Sequence, residues 1–368
     1  MPEKIYIIAE AGVNHNGDIG LAYQLIDAAS AAKADAVKFQ MFRAEALVTT
    51  YAEQAAYQKR NLAASSLRKQ GSHADHEIPA FAGMTLQYDM LRKLELSLKN
   101  FQTLKKYCDK KKITFLVTPF DELSADQLDP LVEQFKISSG DCTNIPLLKH
   151  IASKRKPIIL STGMTTLEEV RRAVDIFSKK QFTLLHCTTN YPCPFPEVNL
   201  GAMKTLRDEF QCPVGLSDHT EGIEVAIAAA ALGASVIEKH FTLDRTLPGP
   251  DHKASLEPNE LISMVRAIRN IEQALGDGVK KPQISEVETA KVARRSLVFS
   301  KNLPKGTVLH ETHFLAKRPG TGLSPEKIEQ IVGRTLKKAV VKDELVSFES
   351  LETNFLDIEN AHPELVEG

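Results

Sequence analysis

Residues 212–220, Cys-Pro-Val-Gly-Leu-Ser-Asp-His-Thr, and residues 234–242, Ala-Ser-Val-Ile-Glu-Lys-His-Phe-Thr, contain two short apolar runs that each end in a histidine. An alanine-rich run at 223–232 separates them and stops at a glycine, a pattern typical of a helix between two buried strands. Such a βαβ unit has a parallel crossover, so both strands end on the same side of their sheet. We therefore expect His219 and His240 to lie close together on that side.

This histidine pair predicts a metal site. Imidazole and carboxylate ligands suit Mn²⁺, Fe²⁺ or Zn²⁺, and Asp218, Glu238 and Asp251 are the nearby carboxylates. The alternative is a pair of buried histidines that are hydrogen-bonded to the protein and bind no metal. The segment by itself leaves both interpretations open.

The same strand-and-helix alternation extends over about the first 280 residues. Amphipathic stretches such as 19–32, 98–111 and 166–179 separate short apolar runs. Eight such units predict a (β/α)₈ barrel, an α/β fold of the TIM-barrel type. A doubly wound open sheet is the alternative, although no Gly-x-Gly-x-x-Gly fingerprint follows the first strand. The predicted strands are residues 5–10, 36–40, 113–119, 135–139, 157–163, 182–187, 214–217 and 236–240.

Each predicted strand ends in a polar or ionisable side chain. In a (β/α)₈ barrel the active site lies at the C-terminal ends of the strands, so these side chains should surround one cavity. They include lysines, carboxylates, histidines and hydroxyl groups, which together indicate catalysis. The strand ends are Glu10, Lys38 with Gln40, Thr118, Lys136 with Ser139, Ser161 with Thr162, His186, Asp218 with His219, and Glu238 with His240.

Composition narrows the class of protein. The chain has 368 residues, 43% of them hydrophobic, and a formal net charge of −1, which is ordinary for a soluble globular protein. The absence of a basic excess argues against nucleic acid as a partner, and no apolar run approaches the roughly 18 residues of a membrane span. Five cysteines without a Cys-x-x-Cys pair, and an N-terminus unlike a signal peptide, predict reduced thiols in the cytoplasm.

The domain organisation follows from interruptions of the pattern. We expect a catalytic domain at 1–280 that contains an Ala-, Ser- and Gly-rich insertion or flap at 62–85. A linker at 281–293 and a small β-rich domain at 294–352 should follow, and 353–368 reads as a frayed tail. The small domain should contain strands at 296–299, 307–309 and 314–317 and a helix at 325–332.

Seven motifs together resemble the sialic acid synthase family, which includes the legionaminic acid synthases. Residues 294–351 resemble the antifreeze-like (SAF) domain that follows the barrel in those enzymes, so a β-clip domain is implied there. The motifs are Ile-Ala-Glu-Ala-Gly-Val-Asn-His-Asn-Gly (8–17), Val-Lys-Phe-Gln (37–40), Phe-Lys-Ile-Ser-Ser-Gly-Asp (135–141), Ile-Leu-Ser-Thr-Gly-Met (159–164), Gly-Leu-Ser-Asp-His-Thr (215–220), Glu-Lys-His-Phe-Thr (238–242) and Pro-Gly-Pro-Asp-His (248–252).

The resemblance implies a reaction and roles for individual residues. Phosphoenolpyruvate would condense with an open-chain N-acetylmannosamine-type sugar, giving N-acetylneuraminate or a related sialic acid and phosphate. His219 and His240 would bind Mn²⁺ or Mg²⁺, and Glu10 would lie near the reacting centre. A domain-swapped homodimer is implied, in which Arg318 enters the partner's site. The phosphoenolpyruvate pocket would comprise Lys38, Thr118, Lys136, Ser139 and Ser161, and the sugar side Gln40, Asp141, Tyr191, Asp251 and Arg318.

Two departures from the family pattern leave the identity of the sugar substrate undecided. Asp141 stands where glutamate is common, and residues 187–191 fall in a variable stretch of the pocket. An N,N′-diacetyllegionaminate synthase acting on 2,4-diacetamido-2,4,6-trideoxymannose is therefore the alternative. A Schiff-base aldolase using Lys38, Lys136 or Lys239 is a different class, and a glycan- or ice-binding module built on 294–351 is a third.

Overall fold

The computed structural model describes residues 4–56, 58–59, 61, 87–177 and 182–352. The chain divides into a first unit, Met1–Gly278, and a second unit, Val279–Gly368. The predicted insertion at 62–85 and the predicted tail at 353–368 lie outside the described residues. Within the described residues, no helix combines the length and the apolar character needed to cross a membrane.

Eight parallel strands form the sheet of the first unit. Their order is β3-β2-β1-β8-β7-β6-β5-β4, which is the cyclic order of eight consecutive strands cut between β3 and β4. These two strands are in contact across the cut, so the sheet curls into a barrel and the predicted (β/α)₈ fold is confirmed. The strands are β1 (Tyr6–Gly12), β2 (Ala36–Met41), β3 (Thr114–Pro119), β4 (Phe135–Ile137), β5 (Ile158–Ser161), β6 (Phe182–Cys187), β7 (Val214–Asp218) and β8 (Val236–His240).

Helices follow the strands and cover the outside of the barrel. Helix α4 shows why they form where they do: Ser97 caps its N-terminus by accepting a hydrogen bond from the Asn100 amide, and Phe101, Leu104 and Cys108 form its buried face. The described helices of this unit are α1 (Ile19–Ala31), α2 (Ala44–Leu47), α3 (Gln87–Leu94), α4 (Leu98–Lys111), α5 (Glu122–Leu128), α6 (Ile145–Ser153), α7 (Leu167–Val174), α8 (Ala202–Phe210), α9 (Glu224–Ala231) and α10 (Pro258–Leu275).

Side chains alternate along each strand, so that one set faces the surrounding helices and the other set faces the barrel interior. Outward side chains such as Ile7 and Val37 pack against the helices. Below the site, the inward side chains form an apolar plug, which consists of Ile8, Ala36, Leu116, Ile159, Leu185 and Val236. Two residues further along those strands, every inward position is polar or a thiol: Glu10, Lys38, Thr118, Ser161, Cys187 and Glu238. The apolar plug therefore places the ionisable side chains at the C-terminal mouth.

The second unit has little regular secondary structure. Helix α11 (Val287–Ala293) lies within the predicted linker, and strands β9 (Ser296–Phe299) and β10 (Phe314–Lys317) pair in an antiparallel manner. The core includes Leu297, Phe299 and Phe314.

Two predictions for this unit are corrected by the structure. The strand expected at 307–309 is reduced to an isolated bridge between Val308 and Thr335. The helix expected at 325–332 is a 3₁₀ helix, Pro325–Gln330. Both segments contribute buried side chains to the core of this unit, Leu309 from the first and Ile331 from the second. Packing of these side chains, rather than a local period, determines the conformation of both segments.

Close strand packing predicts the effect of one substitution. A Cβ added to Gly215 of β7 would lie 2.1 Å from the Val236 carbonyl oxygen of β8, so Gly215→Ala should lower the free energy of unfolding by about 2 kcal/mol or more. Gly201→Ala is the matched control, because its Cβ would meet only the Asn199 side chain at 3.6 Å. Urea unfolding of both variants measures the difference, and equal stabilities would contradict the packing argument.

Candidate active site

A cavity of about 340 Å³ opens at the C-terminal ends of the barrel strands. Eleven predicted site residues line it: Glu10, Lys38, Gln40, Thr118, Lys136, Ser139, Ser161, Tyr191, His219, His240 and Asp251. Further lining residues, which were not predicted as binding or catalytic, include Ser138, Cys187, Thr189, Ser217 and Glu238.

A cluster of four buried charged groups forms the floor of the cavity. Lys38 Nζ lies 3.0 Å from Glu238 Oε2 and 3.4 Å from Glu10 Oε2, and Lys136 Nζ lies 3.6 Å from Glu238 Oε1. Ser217 Oγ donates a hydrogen bond to Glu238 Oε1 at 3.0 Å. All four charged side chains are at most 5% exposed, so each depends on its neighbours for compensation.

The two carboxylates of this cluster differ in proton affinity. Burial raises the pKa of Glu10 to about 7, and the nearby Glu238 adds to this effect against the opposing attraction of Lys38. Burial also acts to raise the pKa of Glu238, but Lys136 and Lys38 outweigh it and lower that pKa to about 2. Glu238 is therefore a permanent anion, whereas Glu10 exchanges a proton near neutral pH, as a general acid or base must.

Lys136 contacts the hydroxyl of Ser161, and the hydroxyl of Thr118 in the same cavity is available to a ligand. Lys136 Nζ donates to Ser161 Oγ at 2.6 Å and to the Ile137 carbonyl at 3.0 Å. Burial lowers the pKa of Lys136 to about 8. Thr118 Oγ1 is buried and has no hydrogen-bond partner among the described residues. A buried hydroxyl of this kind is satisfied when a polar ligand binds.

The two histidines lie together, as the strand crossover predicted. Their ring centroids are 5.4 Å apart, and the Tyr191 ring packs 4.1 Å from that of His219. His219 Nδ1 lies 2.9 Å from the Thr188 carbonyl, so Nδ1 carries a proton and Nε2 is the ring nitrogen left for a ligand. His240 Nδ1 is buried without a hydrogen-bond partner among the described residues, 4.0 Å from Asp251 Oδ2.

His219 and His240 are the candidate donors for a divalent ion in this cavity. The described residues contain no group of three histidine, cysteine or carboxylate side chains arranged to bind a metal. Two imidazole nitrogens are fewer than the three protein ligands of typical catalytic zinc sites, so water or substrate would have to fill the remaining positions.

Asp218 and Lys239 face the outer side of the barrel wall. Lys239 is fully buried, and its Nζ lies 2.8 Å from Asp218 Oδ2 and 2.6 Å from the Thr220 carbonyl. Of the carboxylates that the sequence places near the histidines, Glu238 and Asp251 line the cavity and Asp218 belongs to this outer ion pair. Lys239 is therefore placed as a structural cation, which weakens its candidacy as a Schiff-base nucleophile.

The side chains of Asp141 and Gln40 form hydrogen bonds with neighbouring protein side chains. Asp141 accepts hydrogen bonds from Ser138 Oγ at 2.7 Å and from Asn144 Nδ2 at 3.1 Å, and the described lining includes Ser138 rather than Asp141. Gln40 Nε2 donates to Glu10 Oε1 at 2.9 Å.

Arg318 belongs to the second unit. There its Nε donates to the Ala293 carbonyl at 3.0 Å. Its predicted entry into a partner's site stays a prediction.

Glu238 is the functional residue that sequence reasoning underrated. The sequence places it among the carboxylates near the histidines and among the polar strand ends but assigns it no catalytic or binding role, although it lies between both lysines in the cavity. The signal was present: Val236, Glu238 and His240 share one face of a strand with period two. A charged residue between an inward apolar and an inward histidine position must face the cavity.

One side of the cavity is mainly apolar, although Gln58 and Gln87 of the same segments also line it. It is formed by the end of β1 and by the segments after β2 and β3, including helices α2 and α3. The side chains of this apolar wall are Val13, Leu47, Val48, Met90, Leu91, Leu94 and Phe120.

An eight-stranded parallel barrel with ionisable side chains at its C-terminal mouth is the arrangement of a (β/α)₈ enzyme. The chain belongs to the NeuB family, whose model matches residues 25–280, and an SAF domain matches residues 294–352. The assignment that the motifs suggested is therefore confirmed.

Individual relatives resemble nearly the whole chain. N,N′-diacetyllegionaminic acid synthase of Campylobacter jejuni is 46% identical over 94% of this chain and 99% of its own length. The Legionella pneumophila protein of the same name is 47% identical over 90% of each chain. The crystal structure of N-acetylneuraminic acid synthetase from Leptospira borgpetersenii is 38% identical, with a TM-score of 0.64 over 78% of this chain and 90% of that chain.

The pKa of Glu10 predicts a pH-dependent stability. Because folding raises this pKa from 4.5 to about 7, the folded state binds the proton more tightly, and wild-type stability is lost as pH rises through this interval. Glu10→Gln cannot ionise, so from pH 5 to pH 8 its free energy of unfolding should rise relative to wild type by about 1–3 kcal/mol. Urea unfolding across this range measures the change.

Glu133→Gln is the control for this experiment, because Glu133 is exposed. Its stability should keep the wild-type pH dependence. Parallel curves for Glu10→Gln and wild type would show that Glu10 is ionised throughout.

Proposed function

We propose that this protein is a nonulosonic acid synthase: it condenses phosphoenolpyruvate with an open-chain N-acetylmannosamine-type sugar and releases phosphate. It would be a transferase that forms a carbon–carbon bond and gives N-acetylneuraminate or a related sialic acid. One observation carries the proposal, namely two buried lysines and several hydroxyls beside a histidine pair in one cavity. Membership of the NeuB family supports it.

The charge balance of the cluster favours an anionic substrate. When Glu10 holds a proton, Lys38 and Lys136 face Glu238 as the remaining anion, so the cluster carries a net positive charge. Phosphoenolpyruvate carries both a phosphate and a carboxylate, and each charged hydrogen bond to it is worth about 1.5–3 kcal/mol. Thr118, Ser139 and Ser161 supply the uncharged contacts.

We propose that His219 and His240 hold a divalent ion, Mn²⁺ or Mg²⁺. The support is geometric: His219 Nδ1 is engaged by Thr188, which leaves Nε2, and His240 Nδ1 has no protein hydrogen bond among the described residues. When bound, such an ion supplies Lewis acidity towards the sugar aldehyde.

The side chains then have distinct roles in the reaction. The lysines hold phosphoenolpyruvate so that its C3 attacks the aldehyde carbon, and protonated Glu10 gives its proton to the aldehyde oxygen. Water adds to the cationic C2, and the ionised Glu10 accepts a proton from that water. The C2–O bond to phosphate then breaks, and the departing phosphate takes the remaining hydroxyl proton, which leaves the C2 carbonyl. Tyr191 and Asp251, beside His240, orient the sugar.

The apolar wall favours a second candidate sugar. Val13, Leu47 and Leu91 offer no hydrogen bonds, so a hydroxyl placed against them would lose those it makes with water. A 6-deoxy carbon or a second acetamido methyl would be accommodated there. This supports 2,4-diacetamido-2,4,6-trideoxymannose as substrate, and two relatives carry the name N,N′-diacetyllegionaminic acid synthase.

Phosphate release tests the function directly. We expect release from phosphoenolpyruvate only when an aldehyde sugar is present, with higher kcat/KM for the diacetamido sugar than for N-acetylmannosamine. Lys136→Met should lower kcat/KM by at least about 100-fold, because it removes a cation from the anion site. A covalent adduct trapped by borohydride, with no phosphate released, would instead establish the Schiff-base aldolase.

Metal dependence has its own prediction. His219→Ala and His240→Ala should lose bound Mn²⁺, measured by electron paramagnetic resonance, and should lose activity while keeping the wild-type circular dichroism spectrum. His150→Ala is the control, because His150 lies on the surface beside Asp126 and should change neither property. Full activity of EDTA-dialysed protein, or of either alanine variant, would remove the metal from the proposal.

We also propose a domain-swapped homodimer in which Arg318 reaches the partner's cavity; the support is the family resemblance and the SAF match at 294–352. Mixing Arg318→Ala chains with His240→Ala chains should then restore part of the activity. In the mixed dimer, exchange places both lesions in one site and leaves the other intact. If subunits exchange but activity stays absent, Arg318 acts within its own chain.

A further inference from the structure

Asp251 lies in a loop whose shape determines its distance from His240. The chain leaves β8 after His240 and returns at Leu256, whose amide donates to the His240 carbonyl at 2.9 Å. The Thr242 amide closes the same neck by donating to the Leu256 carbonyl at 2.8 Å. The strand alone therefore does not place Asp251, and contacts inside the loop must do so.

His252, the next residue, makes the contact that ties this loop to the loop after β1. Its Nδ1 lies 2.7 Å from Thr242 Oγ1, and its Nε2 lies 3.2 Å from Asn16 Oδ1. Since an amide oxygen can only accept, Nε2 carries the proton and Nδ1 accepts from the threonine hydroxyl. The ring is 1% exposed, and burial lowers its pKa to about 4, so it is a neutral link with both nitrogens engaged.

The surroundings of His252 leave it no room to move. A Cβ on Gly249 would lie 2.5 Å from His252 Cδ2 and 2.9 Å from Asn16 Oδ1, so the loop backbone packs directly on this hydrogen bond. Ser255 Oγ donates to the Asp251 carbonyl at 2.7 Å. The described lining of the cavity includes neither His252 nor Asn16. Their influence on a ligand therefore passes through the residues of this loop that do line it, Pro250 and Asp251.

We infer that His252 is a positioning residue: by bridging Thr242 and Asn16 it holds the Asp251 carboxylate against His240 for contact with the sugar. This inference rests on the proposed function, which places the sugar beside Asp251. Displacement of a positioned group by about 1 Å can cost about 100-fold in rate. The phosphoenolpyruvate end of the cavity, built by β2 to β5, should not sense the change.

Two substitutions at Thr242 separate the hydrogen bond from packing. Thr242→Val keeps the shape and removes the hydroxyl, and with it the contact to His252 and the longer contacts to the Asp244 carbonyl and amide at 3.2 and 3.3 Å. Thr242→Ser keeps the hydroxyl. We expect Thr242→Val and His252→Phe to raise the KM for the sugar about 10-fold or more, with the KM for phosphoenolpyruvate within about twofold of wild type. Thr242→Ser should behave as wild type. The His252→Phe/Thr242→Val double variant should raise the KM for the sugar by less than the two single effects combined, because both substitutions remove the bond between Thr242 and His252.

His186→Phe is the matched control. The prediction that His186 faces the cavity is wrong: it shares the outward parity of Leu184 on its strand, and the described lining of the catalytic cavity does not include it. Its Nε2 also lies at hydrogen-bond distance from a carbonyl, that of Val198 at 2.6 Å. Both KM values should stay at wild type in this variant. Melting temperatures of all variants establish that the comparison is made between folded proteins.

Calorimetry with the open-chain alcohols made by reducing N-acetylmannosamine and 2,4-diacetamido-2,4,6-trideoxymannose measures binding without turnover. Wild type should bind one of these alcohols, and His252→Phe should bind it about 10-fold more weakly. Unchanged binding in a folded His252→Phe variant, or equal rises of both KM values, would overturn the positioning role while leaving the proposed function intact. A wild type that binds none of the sugars overturns the proposed function, and the inference with it.

Discussion

The cluster of Lys38 between Glu10 and Glu238 is the interaction on which the rest of the structure depends. Charges buried this deeply are stable only when each has a partner, and removal of one partner costs about 3–5 kcal/mol. The partners come from three strands, and their alignment follows from the sheet register: Glu10 pairs across from Lys38 on one side and from His240 on the other. If the pairing of β1 with β2 or with β8 shifted by one residue, the charged side chains of the shifted strand would point outward to the helices and would lose their partners.

The apolar plug beneath the cluster determines its chemistry. Because Ile8, Leu116 and Leu185 fill the barrel below it, water reaches these groups only through the mouth. Burial raises the pKa of Glu10 to about 7, whereas Lys136 and Lys38 outweigh burial at Glu238 and lower its pKa to about 2. Two glutamates of the same strand layer thus become a proton-exchanging group and a fixed counter-ion.

Regular periodicity explains which predictions succeeded. The strand Phe182–Cys187, the strand Val236–His240 and the helix Leu98–Lys111 were predicted at their observed bounds, because apolar runs and amphipathic spacing are local properties. In the second unit, Val308 forms only a bridge and Pro325–Gln330 only a 3₁₀ helix. Buried contacts between distant residues decide these conformations, and no local period reveals them.

The sequence by itself determined the eight strand–helix units, the polar strand ends and hence the side of the barrel that carries the site. It also placed both histidines at one mouth, because parallel strands end together. Only the tertiary structure decided which ionisable groups meet. Glu238 and Lys239 are neighbours in the chain, yet Glu238 faces the lysines of the cavity and Lys239 pairs with Asp218 on the outer side. Strand parity separates the two faces, but the partners on each face come from other strands, brought there by the closure of the barrel.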